Sequence, residues 1–183
     1  MSRLLAAVKF ASEKHKFQKR KDKQGSPYIN HPIKVAELIW NKGEVRDIDV
    51  IIAALLHDTV EDTDTSIEEI KKLFGDKVAL YVSEVTDDKK LQKEERKKLQ
   101  IKHSPNISHG AKQVKFGDKI SNISDIAESP PCNWDFDRRR QYLEWSNNVV
   151  KGLRGSNDKL EAIFDDCLTK SEIFLDNEYK NTK

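Results

Sequence analysis

Apolar side chains recur every three to four residues along most of the chain, a spacing typical of helices that bury one face. The first stripe covers residues 4–17. The second begins at His31-Pro32, where the missing N–H of proline costs little in a first helical turn. Residues 48–56 are almost wholly apolar, and their opening is compatible with a strand. Their Ala-Ala-Leu-Leu end and their length favour a buried helix.

Capping residues and further apolar stripes mark the later helices. Thr65 and Glu68 form a candidate capping box for a helix that stops at Gly75, and Ser156 is a candidate cap for the last helix. Other helices are predicted over residues 78–85, 93–103 and 111–127, and around residues 142–153. The pattern predicts one all-α domain of about eight to ten helices over residues 1–175, followed by a frayed tail, residues 176–183.

Composition narrows the class of protein. A chain of 183 residues can bury one core without disulfides. It has no run of about 18 apolar residues, so we expect no membrane span, and its lysine-rich start does not resemble a secretory signal. Cys132 and Cys167 provide no disulfide framework. These features predict a cytoplasmic protein in a reducing compartment.

Charge is nearly balanced over the whole chain but unevenly distributed along it. The 33 basic and 31 acidic residues give a formal net charge of +2. Residues 44–88 hold thirteen acidic and four basic side chains, whereas residues 1–24 and 89–119 are strongly basic. An acidic centre suits a cation and basic flanks suit a small anionic substrate, although most runs of charge are solvated helix faces.

Groups that can bind a metal or move protons follow the apolar segment, at His57-Asp58 and at Glu61-Asp62. On a helix, His57 and Glu61 would share one face. His31, at a predicted helix start, and Asp118, within a helical stretch, add a second imidazole and another carboxylate. This mixed set suits Mn²⁺, Fe²⁺ or Zn²⁺ and is too rich in nitrogen for a Ca²⁺ site.

Taken singly, these residues also have ordinary structural interpretations. His31 is compatible with a capping or core histidine, and Asp118 with a salt bridge to a neighbouring lysine. His15, His103 and His109 stand among lysines or beside a polar loop, and we expect all three at the surface.

The spaced histidines and aspartates together resemble the H…HD…D signature of the HD metal-dependent phosphohydrolase superfamily. Longer motifs resemble the hydrolase domain of the RelA/SpoT family: Arg20-Lys21-Asp22, Pro27-Tyr28-Ile29-Asn30-His31-Pro32 and the stretch from Ala54 to Thr63. Others resemble its stand-alone animal branch, the metazoan SpoT homologues: Phe74-Gly75-Asp76, Glu84 to Asp88, Glu95-Arg96-Lys97 and Trp145 to Gly155. The resemblance covers residues 4–170 of the sequence.

The resemblance implies an enzyme that hydrolyses the 3′-diphosphate of guanosine-3′,5′-bis(diphosphate), the stringent-response nucleotide ppGpp, to GDP and pyrophosphate. Hydrolases of this family are usually manganese-dependent, so we expect one Mn²⁺ ion, with Zn²⁺ or Fe²⁺ as alternatives. The animal branch has also been assigned NADPH 2′-phosphatase activity. Both reactions attack a phosphorus on a ribose hydroxyl, so the residues leave both substrates open.

The resemblance also implies a role for each matching residue. The implied metal ligands are His31, His57, Asp58 and Asp118. The implied catalytic acidic pair is Glu61 and Asp62. The implied substrate contacts are Arg20, Lys21, Asn122 and Tyr142. An acidic pair can deprotonate a water and pass a proton to the leaving 3′-oxygen, and an arginine can grip a diphosphate with parallel hydrogen bonds.

Three residues depart from the family pattern. Gly117 stands where alanine is usual, and because glycine disfavours a helix by about 1 kcal/mol relative to alanine, a looser ligand helix is expected there. Ser121 and Ser124 stand where relatives often carry arginine, which puts tight recognition of the base in doubt.

A non-catalytic nucleotide or nucleic-acid binding module is the alternative from another functional class. The lysines and arginines of residues 14–23 and 89–102 favour it, while the low net charge and the lack of a nucleic-acid motif in the sequence oppose it. Such a module would need no acidic pair beside four ligands. The favoured partner is therefore a small anionic nucleotide, with no nucleic acid and no membrane, and the oligomeric state stays open.

Overall fold

Helices form all the regular structure of residues 2–182, which are the residues that this computed structural model describes. In chain order they are α1 (Ser2–Lys14), α2 (Asn30–Asn41), α3 (Ile48–Leu56), α4 (Thr59–Asp62), α5 (Ile67–Phe74), α6 (Asp76–Val85), α7 (Lys93–His103), α8 (His109–Glu128), α9 (Phe136–Lys151) and α10 (Asp158–Thr182). The all-α prediction is confirmed. None of the described helices is long and apolar enough to cross a membrane.

Helix α3 lies at the centre of the fold and resolves the ambiguity between helix and strand. Every residue from Val50 to Leu56 is buried, and the segment is apolar all round because it has neighbours on every side. These neighbours are α1, α2, α6 and α8. The Asp47 carboxylate begins the helix by accepting a hydrogen bond from the Asp49 backbone N–H at 3.0 Å.

Helix α8 is buried along most of its length and carries Asp118 past α2. Gly117 makes this close approach possible, because a Cβ there would lie 2.8 Å from Ile39 Cδ1 and 3.0 Å from Val35 Cγ1. This close packing is a role of Gly117 that the expectation of a looser helix did not include. Helix α8 runs unbroken from His109 to Glu128, and the glycine brings it close to α2.

The substitution Gly117→Ala is expected to lower the free energy of unfolding by about 1 kcal/mol. Alanine gains about 1 kcal/mol of helix propensity, but overpacking a filled core costs about 1–3 kcal/mol. Both facing side chains, Ile39 and Val35, are fully buried. Equilibrium denaturation measures the change. Because Ile39→Ala removes both colliding atoms of Ile39, Cδ1 and Cγ1, the double variant should lose less than the sum of the single variants, and additive losses would contradict this explanation.

Two helix caps differ by one residue from the predicted ones. Helix α5 is capped by Ser66 rather than Thr65, whose hydroxyl instead lies 2.8 Å from the hydroxyl of Thr63. Helix α10 is preceded by Asn157, whose side-chain oxygen accepts the first free backbone N–H groups of the helix, at 3.0 and 3.1 Å. Ser156, the predicted cap, has a buried hydroxyl with no hydrogen bond within residues 2–182.

The C-terminal segment also differs from its prediction, because α10 continues to Thr182 where a frayed tail of residues 176–183 is expected. Two contacts with α9 hold it. Glu178 accepts two hydrogen bonds from the Arg139 guanidinium, at 2.8 and 3.0 Å, and Tyr179 stacks on Phe136 with ring centroids 5.0 Å apart. Lys183 lies outside the described residues.

Candidate metal centre and the adjoining cavity

Three parts of the fold bring the four predicted metal ligands together. His31 is near the start of α2, His57 and Asp58 form the junction between α3 and α4, and Asp118 lies in the middle of α8. Nε2 of His31 is 3.3 Å from Oδ1 of Asp118 and 3.7 Å from Oδ2 of Asp58. Nε2 of His57 is 3.1 Å from Oδ2 of Asp58 and 3.8 Å from Oδ1 of Asp118.

Both imidazoles are turned so that Nε2 faces the carboxylates. Nδ1 of His57 donates to the Ala54 carbonyl at 2.7 Å, and Nδ1 of His31 lies 3.2 Å from the Ser121 hydroxyl. Among residues 2–182, the buried Nε2 atom of His57 finds no hydrogen-bond partner of acceptable geometry, despite its approach to Asp58. A buried ring nitrogen in that position, with its other nitrogen bonded to a carbonyl, fits a metal ligand.

The donor set is compact enough for one ion. The ligand atoms of His31, His57 and Asp118 all lie within 4.8 Å of one another, and Asp58 adds a second carboxylate. Two imidazoles and two carboxylates form the mixed nitrogen and oxygen set that suits Mn²⁺, Fe²⁺ or Zn²⁺. The residues present therefore fit a divalent metal ion.

The charges of this cluster are strongly linked. Burial lowers the pKa of His31. Burial also opposes a charge on His57, but the Asp58 and Asp118 carboxylates raise the pKa of His57 to about 10. Although burial opposes ionisation of Asp58, His57 and His31 hold its pKa well below the usual range. Because a ligating imidazole must be neutral, a bound cation would displace a proton from His57.

Neighbouring side chains fix the directions of the two carboxylates. The Tyr28 hydroxyl donates to Oδ2 of Asp58 at 2.6 Å. The Lys119 ammonium donates to Oδ2 of Asp118 at 3.0 Å, and the Asn122 amide donates to Oδ1 at 2.5 Å. Such partners behind the ligands set the orientation and basicity of a metal site.

Glu61, on the short helix α4, lies in a partly buried acidic environment. It accepts a hydrogen bond from the Asp87 backbone N–H at 3.2 Å and one from the Arg96 guanidinium at 3.5 Å. Burial, together with the Asp87 and Asp58 carboxylates, raises the pKa of Glu61 to about 7. A carboxyl group with a pKa near neutrality is suited to general acid or base catalysis.

Asp62 has different hydrogen-bond partners from those of Glu61. Its Oδ2 atom accepts a hydrogen bond from the Gln18 amide at 2.8 Å, and its Oδ1 atom pairs with Lys89. Adjacent in sequence, Glu61 and Asp62 therefore have separate surroundings. Two carboxyl groups with different partners can take different roles in one reaction.

A cavity of about 370 Å³ opens beside Asp62. Its lining includes all the predicted substrate contacts: Arg20, Lys21, Asn122 and Tyr142. The Arg20 guanidinium donates to Asp125 at 2.6 Å and to the Asn122 side-chain oxygen at 3.2 Å. Asn122 thus connects the basic loop to Asp118, and the cavity to the candidate metal centre.

A second cavity, of about 670 Å³, adjoins the first and shares Lys21, Trp134 and Tyr142 with it. Its other lining residues include Lys93, Lys97, Arg138 and Trp145. Burial raises the pKa of Tyr142 to about 12, so this hydroxyl stays protonated between the two cavities. Together the cavities form a cleft with aromatic walls, lined by basic residues and by acidic ones such as Asp87 and Asp125.

Sequence reasoning missed several residues of the site. His15 is buried with 2% of its surface exposed, so the expectation that it lies at the surface is wrong, while His103 and His109 are exposed as expected. Gln18 and Lys119 were also not identified. No short motif marks them, because each acquires its role by packing against residues that are distant in sequence or by burial of a charge.

Comparisons with known proteins agree with this arrangement. The HD-domain family profile matches residues 7–141. A zebrafish protein named guanosine-3′,5′-bis(diphosphate) 3′-pyrophosphohydrolase MESH1 is 52% identical over 88% of this chain and 92% of its own. The human protein of the same name is 51% identical over 87% of this chain and 89% of its own.

Solved structures give the same result. The chain matches a structure described as a metazoan orthologue of SpoT that hydrolyses ppGpp, with a TM-score of 0.90, 43% identity, and coverage of 93% of this chain and 96% of the other. A Listeria monocytogenes protein matches with a TM-score of 0.65 and 29% identity, over 80% of this chain and 99% of the other. The chain therefore belongs to the HD-domain family, within the branch of the metazoan SpoT homologues.

Proposed function

We propose that this protein hydrolyses the 3′-diphosphate of guanosine-3′,5′-bis(diphosphate), releasing pyrophosphate and GDP. The observation that carries the proposal is the convergence of two histidines and two aspartates beside a cavity of about 370 Å³ that Arg20 and Lys21 help to line. Within residues 2–182, Nε2 of His57 in this cluster is buried and has no hydrogen-bond partner. The relatives that span most of this chain carry the name of that activity.

We infer that His31, His57, Asp58 and Asp118 hold one divalent ion, with Mn²⁺ as the first choice and Zn²⁺ or Fe²⁺ as alternatives. When bound, such an ion polarises a phosphoryl oxygen and lowers the pKa of a water molecule towards about 7. The chain itself supplies the fixed geometry. Hydrogen bonds from Tyr28 to Asp58 and from Asn122 to Asp118 aim the carboxylates.

Glu61 is proposed to accept the proton of the attacking water, and its pKa of about 7 suits that task. The water oxygen forms a bond to the phosphorus while the bond from that phosphorus to the ribose 3′-oxygen breaks. The proton then passes to the 3′-oxygen, which leaves as the hydroxyl of GDP. Asp62, held as a separate carboxylate by Gln18, is proposed to orient the water.

Arg20 and Lys21 are proposed to bind the diphosphate, with Asn122 and Tyr142 as further substrate contacts. The Arg20 guanidinium uses one nitrogen for both Asp125 and Asn122, which leaves its other N–H groups for a phosphate. Lys21 is exposed at the mouth shared by the two cavities. We propose a small anionic nucleotide as the partner of this protein, with neither nucleic acid nor membrane, and a cytoplasmic location.

The substitution Arg20→Ala is expected to raise KM for ppGpp about 10- to 100-fold with a smaller effect on kcat, because a hydrogen bond to a charged group contributes about 1.5–3 kcal/mol. Arg20→Lys should recover only part of the loss, since lysine binds phosphate as a point charge. Steady-state kinetics measure both constants. Lys23→Ala, an exposed residue of the same loop outside the cavity lining, is the matched control. An unchanged KM in Arg20→Ala would contradict the assignment.

NADPH 2′-phosphatase activity is a second candidate function of the same site. The observation that favours it is the second cavity, of about 670 Å³, which offers room for the rest of a dinucleotide beyond the 370 Å³ cavity. Its basic residues suit further phosphates, and its tryptophans suit a stacked base.

A phosphate-release assay with controlled metal tests the proposal. Metal-stripped protein is incubated with ppGpp, NADPH or GDP, with and without Mn²⁺, Zn²⁺ or Fe²⁺. The proposal predicts pyrophosphate from ppGpp only with added ion, and no product from GDP. Orthophosphate from NADPH alone would favour the second function. Salt-dependent binding of nucleic acid without any hydrolysis would favour the non-catalytic module.

A further inference from the structure

We propose that Gln18 is a positioning residue for Asp62 and that the buried His15 holds Gln18 in place. This inference rests on the proposed function, because it concerns the acidic pair of that site. Gln18 lies in the segment after α1, forty-four positions from Asp62 in sequence.

The orientation of the Gln18 amide follows from its two partners. Nε2 of Gln18 lies 2.8 Å from Oδ2 of Asp62, and Oε1 of Gln18 lies 2.7 Å from Nδ1 of His15. An ionised carboxylate can only accept hydrogen bonds, so the amide NH₂ group must face Asp62. The amide oxygen then accepts from His15, whose proton must be on Nδ1. One chain of donors therefore runs from His15 through Gln18 to Asp62.

The first member of this chain is rigidly placed. His15 is 2% exposed, and its ring lies against that of Tyr28, with centroids 4.9 Å apart. The Gln18 backbone N–H donates to the His15 carbonyl at 2.9 Å, and the Gln18 carbonyl accepts from the Tyr28 N–H at 3.0 Å. Both the backbone and the amide of Gln18 are thus fixed by the loop that carries the basic residues.

The second hydrogen-bond partner of Asp62 is much less constrained. Oδ1 of Asp62 pairs with Lys89, whose side chain is 49% exposed. A half-exposed lysine can follow a moving carboxylate, whereas the Gln18 amide cannot. Gln18 and Asp62 both line the cavity of about 370 Å³. We therefore assign the fixed direction of the Asp62 carboxylate to Gln18 rather than to Lys89.

The experiment compares Gln18→Leu and His15→Leu with His15→Asn. Loss of a partner behind a functional group typically costs about 10- to 100-fold, so both leucine variants should lose that much kcat, with KM and bound metal unchanged. Asparagine places an amide N–H close to the position of Nδ1–H, so His15→Asn should recover most of the rate. Gln24→Leu, an exposed glutamine of the same loop, is the control and should match the parent protein.

Two further measurements separate a positioning role from general structural damage. If Gln18 acts through Asp62, the pair Gln18→Leu with Asp62→Asn should be no slower than Asp62→Asn alone. In ¹⁵N–¹H spectra of the imidazole, a protected Nδ1–H of His15 should be visible in the parent protein and absent in Gln18→Leu.

The possible failures are distinguishable. A parent protein that hydrolyses no ppGpp contradicts the proposed function, and the imidazole spectra still decide the inference. An active parent with an equally active Gln18→Leu overturns the positioning role alone. Equal rates in His15→Leu and His15→Asn, or loss of metal in Gln18→Leu, would overturn it too.

Discussion

The substitution Asp58→Ala is expected to abolish hydrolysis of ppGpp and to leave the purified protein without its divalent ion. Oδ2 of Asp58 lies 3.1 Å from His57 and 3.7 Å from His31, so its removal leaves two facing imidazoles with one carboxylate. Loss of the several kcal/mol that a metal ion contributes to a transition state corresponds to a rate decrease on the order of 10³-fold or more. Elemental analysis and initial rates measure the two effects.

A matched control for this variant lies close by. Asp58 precedes the short helix α4, and Asp64 follows it. The side chain of Asp64 is 89% exposed and pairs only with Lys14 among the contacts of residues 2–182. Asp64→Ala removes the same chemical group and should keep both the ion and the rate. An Asp58→Ala protein with normal metal content and normal kcat would show that the ion, if any, lies elsewhere.

The substitution Glu61→Gln is expected to keep the ion and to slow the chemical step by about 10²- to 10⁴-fold, the usual contribution of a general base. Glutamine preserves the size of the side chain and can still interact with the Asp87 backbone, but it cannot accept the proton of water. The expected pattern is a decreased kcat with a nearly unchanged KM and full metal content. A normal rate would transfer the proton role to Asp62.

The pKa of Glu61 also gives an expected pH dependence for the parent enzyme. Burial and the nearby carboxylates raise the pKa of Glu61 to about 7, and a general base must be ionised to act. Below that pKa the group is protonated, so kcat/KM should fall as the pH decreases and level off as the pH rises above it. A bound cation favours the ionised form of Glu61. The midpoint of the decrease in kcat/KM is therefore expected at a pH of about 7 or below. This acid limb should disappear in Glu61→Gln.

Local patterns predict much of the fold because the helices are encoded by spacing and composition. The wholly apolar run 48–56 predicts the central buried helix, and the helical stripes predict its neighbours. The caps are less predictable, since Thr65 and Ser66 both have hydroxyls. The Thr65 hydroxyl lies next to that of Thr63, and the Ser66 hydroxyl accepts the Glu69 backbone N–H. The role of Gly117 depends on how closely two helices approach, which no local pattern records.

The candidate ligands could be selected from the sequence because the HD pair and its spaced partners form a specific motif. The residues that hold these ligands and the acidic pair in place could not be selected in this way. Gln18 reaches Asp62 across forty-four positions, and Arg96 reaches Glu61 across thirty-five. His15 stands among lysines in sequence, yet its ring is buried and packs on that of Tyr28. Such contacts depend on three-dimensional packing rather than on any spacing along the chain.

The central claim is that metal-dependent attack of water occurs at the 3′-phosphorus of ppGpp. The most direct test is hydrolysis in ¹⁸O-labelled water with Mn²⁺, followed by mass spectrometry of both products. We predict one labelled oxygen in pyrophosphate, none in GDP, and no products without the ion or with Asp58→Ala. Label in the ribose of GDP, or the same products from the metal-stripped protein, would contradict this mechanism.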